Sequence, residues 1–146
     1  MSDAKGNAFE TGLVSAIFNA TSIAGLLETV TTAPLTSLSV QLHTASPTDT
    51  GDMTSNEATY TGYARVGVER TSSGWTITAN SVSPTTDIVF PQCSAGTDTV
   101  THFSVGNSTV AASTGVMYYY GTVTPNISVS AGVTPRLTTA TAITEN

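Results

Sequence analysis

Hydrophobic residues recur at helical spacing in one segment of the chain, NAFETGLVSAIF at residues 7–18. Asn7 followed by Glu10 has the arrangement of a capping box, in which the two side chains satisfy backbone N–H groups of the first turn. Gly12 destabilises the middle of this helix by about 1 kcal/mol relative to alanine, so the helix needs packing partners. Its apolar stripe consists of Phe9, Leu13, Val14, Ile17 and Phe18.

The helical region is predicted to extend to residue 28. A second short turn of helix is expected at Ile23–Leu27, and Pro34 disfavours helix at Ala33. The apolar stripe must be covered either by an open end of a β-sandwich or by a neighbouring subunit, and the sequence leaves both possibilities open.

From Leu38 onward the hydrophobic period changes to two. Leu38, Val40 and Leu42 alternate with polar residues as far as His43, which predicts a half-buried strand. The segment SSGW at residues 72–75 predicts a hairpin turn, after which the next strand returns. Strands are expected at residues 38–43, 64–69, 75–79, 87–91, 100–105, 116–123, 127–129 and 137–143.

This series of short strands with turn signals between them predicts a mainly β fold, an antiparallel β-sandwich or a jelly-roll-like barrel with one short N-terminal amphipathic α-helix. We expect a single domain over residues 1–146, with an N-terminal arm at 1–6, a helical region at 7–28 and the β-sandwich at 38–146. The turn-rich segment 44–63 is long for a loop in a compact domain, and such loops are usually functional or pinned by a partner.

Composition adds a surface that is rich in hydroxyl groups and poor in ions. Charged residues make up 10% of the chain, against about 25% in ordinary soluble domains. The net charge is −6, and the basic residues are Lys5, Arg65, Arg70 and Arg136. Binding to nucleic acid or to an anionic membrane surface is therefore not expected.

The single cysteine, Cys93, excludes an intrachain disulfide and is expected in the core. No apolar run reaches the roughly 18 residues of a membrane span. The N-terminus lacks a basic start followed by an apolar run, so a signal peptide is not expected.

Candidate catalytic or metal-binding residues are few. His43 and His102 lie on predicted strands without a second ligand at metal spacing, so we expect structural histidines, with His43 at the surface or anchoring a loop. Asp49, Asp52 and Glu57 are expected to be solvated loop carboxylates; calcium binding is the alternative, although the EF-hand pattern is absent. Neither a nucleophile elbow nor a phosphate-binding loop is present. We expect no catalytic residue, no metal and no cofactor.

The segment MYYYGT at residues 117–122 is the most aromatic stretch of the chain. In a strand, Tyr118 and Tyr120 face one side and Tyr119 faces the other. One face is expected to contribute to the core, and the other is a candidate interface or sugar-stacking surface.

Four segments that together span nearly the whole chain resemble, in order, a family of small tailed-bacteriophage virion proteins. They are NAFETGLVSAIF, LSVQLHTASPTDTGDMTSNEATYTGYARVGVER, DIVFPQCSAGTDTVTHFSVGN and MYYYGTVTPNISVSAGVTPRLTTATAITE. The second segment is the most specific. Its matching residues are Leu42, His43, Thr44, Ala45, Pro47, Gly51, Asn56, Glu57, Tyr60, Gly62, Tyr63, Ala64 and Arg65.

The resemblance implies a virion structural protein that is not an enzyme and is made in the host bacterial cytoplasm. The leading hypothesis is a head decoration (cement) protein on the capsid exterior, which binds the assembled head and stabilises it. Its expected partners are the major capsid protein and further copies of itself in a homotrimer. Candidate contact elements are the arm at residues 1–6, the loop 48–63 and the tail near Glu145.

Two alternatives remain. A tail-fibre or receptor-binding module would use Tyr119 and Trp75 as platforms for carbohydrate, although the chain has neither the heptads nor the fibrous repeat of a shaft. A small hydrolase would need a deep pocket around His43 or His102.

Overall fold

The structure is a computed structural model, and it describes residues 7–21 and 35–145. Within these ranges the chain is mainly β and has one helix, which confirms the predicted fold class and is consistent with a β-sandwich-like fold. The elements are α1 (Asn7–Asn19), β1 (Ser37–His43), β2 (Val66–Glu69), β3 (Trp75–Thr78), β4 (Ser81–Pro84), β5 (Ile88–Val89), β6 (Asp98–Gly106), β7 (Met117–Val129), β8 (Arg136–Leu137) and β9 (Ile143–Thr144).

The described strands form three sheets. Their orders are β2-β1-β6-β7, β3-β4-β9 and β5-β8, and β6 pairs antiparallel with both β1 and β7. Two register shifts interrupt the pairing of β6 with β7, one between Val100 and His102 and one between Val105 and Gly106.

The chain divides into two compact units. The helix unit contains Met1–Thr36, Glu69–Asp87 and Thr138–Asn146, and the sheet unit contains Ser37–Val68 and Ile88–Leu137. The single β-sandwich domain over residues 1–146 stays a prediction.

In the helix unit, α1 packs on β3 and β4. Val14 and Phe18 are fully buried, and the ring of Phe18 meets Trp75 edge-on with ring centroids 4.6 Å apart. Arg70 donates hydrogen bonds to the carbonyl oxygens of Ala16 and Ile17, which the end of the helix leaves without intrahelical partners. The part of the apolar stripe formed by Val14 and Phe18 is therefore covered by strands of its own chain.

Several predictions for the N-terminal region lie outside the described part of the chain. These are the arm at residues 1–6, the second helical turn at Ile23–Leu27 and the break at Pro34. The side chains of Asn7 and Phe9, on which the capping box and the start of the stripe depend, are likewise not described.

The hairpin predicted at residues 72–75 is wrong. Gly74 and Trp75 both donate to the carbonyl of Thr71, so the chain does turn there, but β2 pairs in the four-stranded sheet and β3 pairs with β4. The tight connection lies instead between Thr78 and Ser81, where Ala79 has a positive φ of 55°.

Two strand predictions in the C-terminal part also needed correction. The strands predicted at 116–123 and 127–129 form one long strand, β7, which begins at Met117, because the register irregularity opposite Val100 absorbs the extra residues. Residues 137–143 contain two strands of different sheets, separated by a turn in which Thr141 donates to the carbonyl of Thr138.

Strand β1 is buried on both faces and not on one as predicted. It lies in the interior of its sheet, and the loop that follows it folds back over its polar side. Ala58 N–H bonds the carbonyl of Leu42, and the His43 ring bonds the carbonyl of Ser55. The alternating pattern predicted the strand correctly, but it could not reveal that covering loop.

Candidate functional site

Most of the residues that carry the family resemblance in the second segment lie at 44–65, between β1 and β2. We call residues 44–65 the clamp loop. Thr44 N–H donates to the carbonyl of Asn56, and Thr61 forms an isolated bridge with Ala95. A Cβ on Gly51 would lie 1.9 Å from the carbonyl oxygen of Pro47, so this turn accepts only glycine. The segment 44–63, predicted to be functional or pinned by a partner, is thus pinned by its own chain.

Arg65 is the centre of the clamp. Its Nε bonds Oε1 of Glu57 at 2.6 Å and one terminal nitrogen bonds Oε2 at 2.8 Å, a bidentate ion pair in which the arginine side chain is fully buried. The hydrogen bonds that Arg65 donates to the Glu57 carboxylate raise the pKa of Arg65, which keeps the guanidinium charged. The remaining donors bond the backbone carbonyls of Met53, Ser108, Val110 and Ser113. Arg65 therefore ties the clamp loop to the loop 107–116.

Glu57 has a third partner in Tyr63. The phenol of Tyr63 donates to Oε1 of Glu57 at 3.0 Å and accepts the N–H of Leu42 at 3.1 Å. Burial raises the pKa of Tyr63, and the charge of Glu57 raises it further, so the phenol stays protonated. The prediction that Glu57 is a solvated carboxylate is wrong, because it neutralises the cation at the centre of the clamp.

His43 anchors the clamp loop from β1. Its Nδ1 lies 2.8 Å from the carbonyl oxygen of Ser55 and so must carry the proton, while Nε2 accepts from Oγ of Ser104 at 2.6 Å. The side chain is fully buried, and burial lowers the pKa of His43. The loop-anchoring role is confirmed, whereas the surface position is wrong.

The two remaining loop carboxylates also make internal contacts. Asp52 accepts hydrogen bonds from the N–H and the hydroxyl of Thr54, which lower the pKa of Asp52. The carboxylate of Asp49 accepts a hydrogen bond from the phenol of Tyr120 at 2.6 Å. Among the described residues no group of three or more His, Cys, Asp or Glu side chains is placed to hold a metal ion. The calcium alternative thus finds no ligand cluster in this loop.

His102 and Cys93 occupy structural positions. Nδ1 of His102 lies 2.8 Å from the hydroxyl of Thr101. Cys93 is 1% exposed, as predicted for a core residue, and its thiol donates to the carbonyl of Ala95. Since both ring nitrogens of His43 are engaged inside the fold, that residue is not available as a catalytic base.

A groove of about 530 Å³ on the sheet unit is bordered by Thr44, Asp98 and Ser128 among others. Hydroxyl groups dominate its wall. The carboxylate of Asp98 already accepts the backbone N–H groups of Thr59 and Tyr60, at 2.7 and 2.9 Å. The one charged group of the groove is therefore engaged in holding the clamp loop.

The exposed surface of this unit includes an apolar area that sequence reasoning identified only in part. We call it the contact face, and it consists of Val110, Val116, Tyr118 and Tyr120, which are 67%, 55%, 40% and 38% exposed. The predicted alternation is confirmed, since Tyr119 is less exposed than its two neighbours. Val110 was missed because an isolated valine in a loop carries no periodic signal, and Val116, although it lies in the strand predicted at 116–123, was not identified as part of this surface.

The carbohydrate platform predicted from Trp75 is wrong. Trp75 is 2% exposed and lies under Phe18 in the helix unit. Its predicted companion, Tyr119, is half-buried, and burial raises the pKa of its phenol. The aromatic rings open to solvent in the sheet unit are those of Tyr118 and Tyr120.

Comparison with known families matches residues 13–144 to a family described as podophage GP4 fiber I protein gp80. The match includes the clamp loop, Arg65 and the contact face. A search of curated proteins finds no match. In the part of the chain that the structure describes, no helix is long and apolar enough to cross a membrane. The chain therefore belongs to the gp80 family of podophage fiber I proteins, and it is a tailed-bacteriophage virion protein.

Proposed function

We propose that the chain is a non-catalytic, fibre-type structural subunit of a podophage virion and that it works by binding other virion proteins. The match of residues 13–144 to the fiber I family carries this proposal. The internal chemistry supports it, because Arg65, Glu57 and His43 form contacts that hold loops together. Such groups would be free and convergent on a pocket in an enzyme.

Decoration of the head is the second candidate. It is favoured by two features of the described residues: they form two compact units with antiparallel strands, and they contain no helix longer than α1. Such an architecture suits a compact cap on the capsid shell better than it suits the elongated shaft of a fibre. In this role the major capsid protein is the proposed partner, and binding to the assembled shell would stabilise it by linkage.

Location and copy number in the particle separate the two candidates. Particles that carry an affinity tag on this chain would be imaged with a gold label, and the chain would be quantified against the portal and major capsid proteins. The fibre proposal expects a few copies, all at the tail end. Many copies spread over the head would contradict it and support decoration.

A deletion mutant adds a functional readout. For a fibre-type subunit we expect particles with normal, heat-resistant heads and impaired adsorption. For decoration we expect normal adsorption and heads that lose DNA on heating. Hydrolysis of a host surface polymer by the purified chain, abolished by His102→Ala, would overturn the non-catalytic proposal in both forms.

A further inference from the structure

Exposed apolar side chains of the sheet unit are concentrated in one stretch of the chain, residues 110–120. In the described ranges six large hydrophobic residues are exposed, and four of them make up the contact face. The other two, Leu35 and Val89, lie at separate places, in the helix unit and on β5. An apolar cluster of this kind on a protein surface marks an interaction site.

The contact face lies in a long stretch without charge. No Asp, Glu, Lys or Arg occurs between Asp98 and Arg136, although the chain has ten acidic residues and a net charge of −6. The carboxylate of Asp49 reaches this face and is hydrogen-bonded to Tyr120. Copies of the chain that met through other surfaces would bring acidic groups together, whereas this face avoids that repulsion.

The loop part of the contact face is held in place before any partner binds. Arg65 bonds the carbonyl of Val110, and Asn107 accepts the N–H of Val116 through its side chain at 2.7 Å. The Asn107 N–H in turn bonds the carbonyl of Val116. A loop fixed in this way loses little conformational entropy on binding.

The side chains of this face, and not the backbone edge of β7, are suited to make the contact. β7 is the outermost strand of its sheet, but two register shifts interrupt its pairing and Pro125 lies within it. Bulges and proline are the devices by which proteins prevent edge strands from pairing with another chain. Packing of valine and tyrosine side chains needs no such pairing.

We propose that the contact face is the site where a second copy of this chain packs, side chain against side chain. The charge distribution selects this occupant, because a strongly basic partner would be bound through a cluster of carboxylates, whereas residues 99–135 carry none and Asp49 is already hydrogen-bonded to Tyr120. The proposal is independent of whether the protein acts at the tail or on the head.

Two valines provide a matched test. Val116 is 55% exposed on the contact face and Val89 is 52% exposed away from it, and both belong to the sheet unit. The full-length wild type, Val116→Glu and Val89→Glu would be compared by sedimentation equilibrium over a range of protein concentrations. We expect the wild type to self-associate, Val116→Glu to weaken association at least about 10-fold, and Val89→Glu to change it by less than about 2-fold.

Circular dichroism and thermal unfolding check that each variant is folded. If Val116→Glu does not fold, Tyr118→Ser takes its place with the same expected loss. Raising the salt concentration from about 0.05 M to about 0.5 M should leave association unchanged or strengthen it, since only repulsion between copies is screened. A monomeric wild type, equal effects of the two valine variants, or a 10-fold loss of association in high salt would each overturn the proposal.

Discussion

The clamp loop and the contact face belong to the same compact unit, yet they distribute polarity in opposite ways. The clamp loop, residues 44–65, directs Glu57 and Arg65 inward, where they bond each other and the backbone. The contact face carries no charge of its own and directs valine and tyrosine side chains outward. An ordinary soluble domain shows the reverse arrangement, with charges outside and apolar groups inside.

This difference shows that the charged residues of the clamp loop stabilise the fold, whereas the apolar residues of the contact face are available for binding. The motif residues that most resemble the virion family account for the internal bonds of the clamp, so they explain a stable loop and not a reaction. The surface available for recognition is the one that the clamp supports, because Arg65 bonds the carbonyls of Ser108 and Val110.

The largest effect is expected from Arg65→Met. The change leaves Glu57 and four carbonyls without their partner, and breaking a buried ion pair in this way costs about 3–5 kcal/mol of unfolding free energy. Urea unfolding monitored by circular dichroism measures the loss. Arg136→Met, at an exposed arginine on β8, is the control and should cost less than about 1 kcal/mol. Equal losses of unfolding free energy in the two variants would contradict the claim that Arg65 holds the clamp loop in place.

A second comparison removes one phenol hydroxyl inside the clamp and one on the contact face. Tyr63→Phe leaves the Leu42 N–H and one Glu57 oxygen short of a partner, so we expect a loss of about 1–3 kcal/mol. Tyr120→Phe removes an exposed bond to Asp49 and should leave the unfolding midpoint unchanged. If the Tyr120 variant were the more damaging of the two, the division between clamp and contact face would be wrong.

The third prediction concerns pH. Burial holds the pKa of His43 below its ordinary value of 6.5, so as the pH falls the unfolded chain takes up the proton before the folded chain does. Stability is therefore full above pH 6.5 and is lost as the pH falls below it, with a slope of at most about 1.4 kcal/mol per pH unit.

Unfolding free energies between pH 8 and about pH 5 measure this slope, above the range in which most carboxylates titrate. The slope should vanish in His43→Gln and persist in His102→Gln, the matched change at the second histidine. If the slope vanished in His102→Gln and persisted in His43→Gln, the assignment of this pH dependence to His43 would be wrong.

The smallest effect on stability is expected on the contact face itself. Val110→Ser and Val116→Ser change side chains that are more than half exposed, so each should shift the unfolding free energy by no more than about 0.5 kcal/mol. Losses above about 2 kcal/mol would show that these valines belong to the core.

The sequence predicted features that depend on local pattern. The helix α1 was predicted from its apolar spacing, the buried Cys93 from its residue type, and the opposite faces of Tyr118 and Tyr119 from the period of a strand. Each requires knowledge of a few neighbouring residues only.

Features that depend on distant segments were missed or mistaken. The pattern of β1 predicted a solvated polar face, but a loop covers it and buries His43. Three of the four carbonyls that Arg65 binds lie more than forty residues away in the loop 107–116, and a backbone carbonyl leaves no mark in a sequence. The sequence contained one signal of the buried ion pair. Only four residues of the chain are basic, and one of them, Arg65, follows Glu57 within the same motif.

Hydroxyl-radical labelling of the chain in intact virions and as dilute purified protein tests the central claim most directly. The readout is oxidation of Tyr118 and Tyr120, quantified by mass spectrometry, with Tyr60, which is 3% exposed, as the internal reference that burial protects in both samples. Our account predicts that Tyr118 and Tyr120 are labelled in the dilute protein and protected in the virion. Equal labelling of these two residues in both samples, with protection confined to other surfaces, would contradict it.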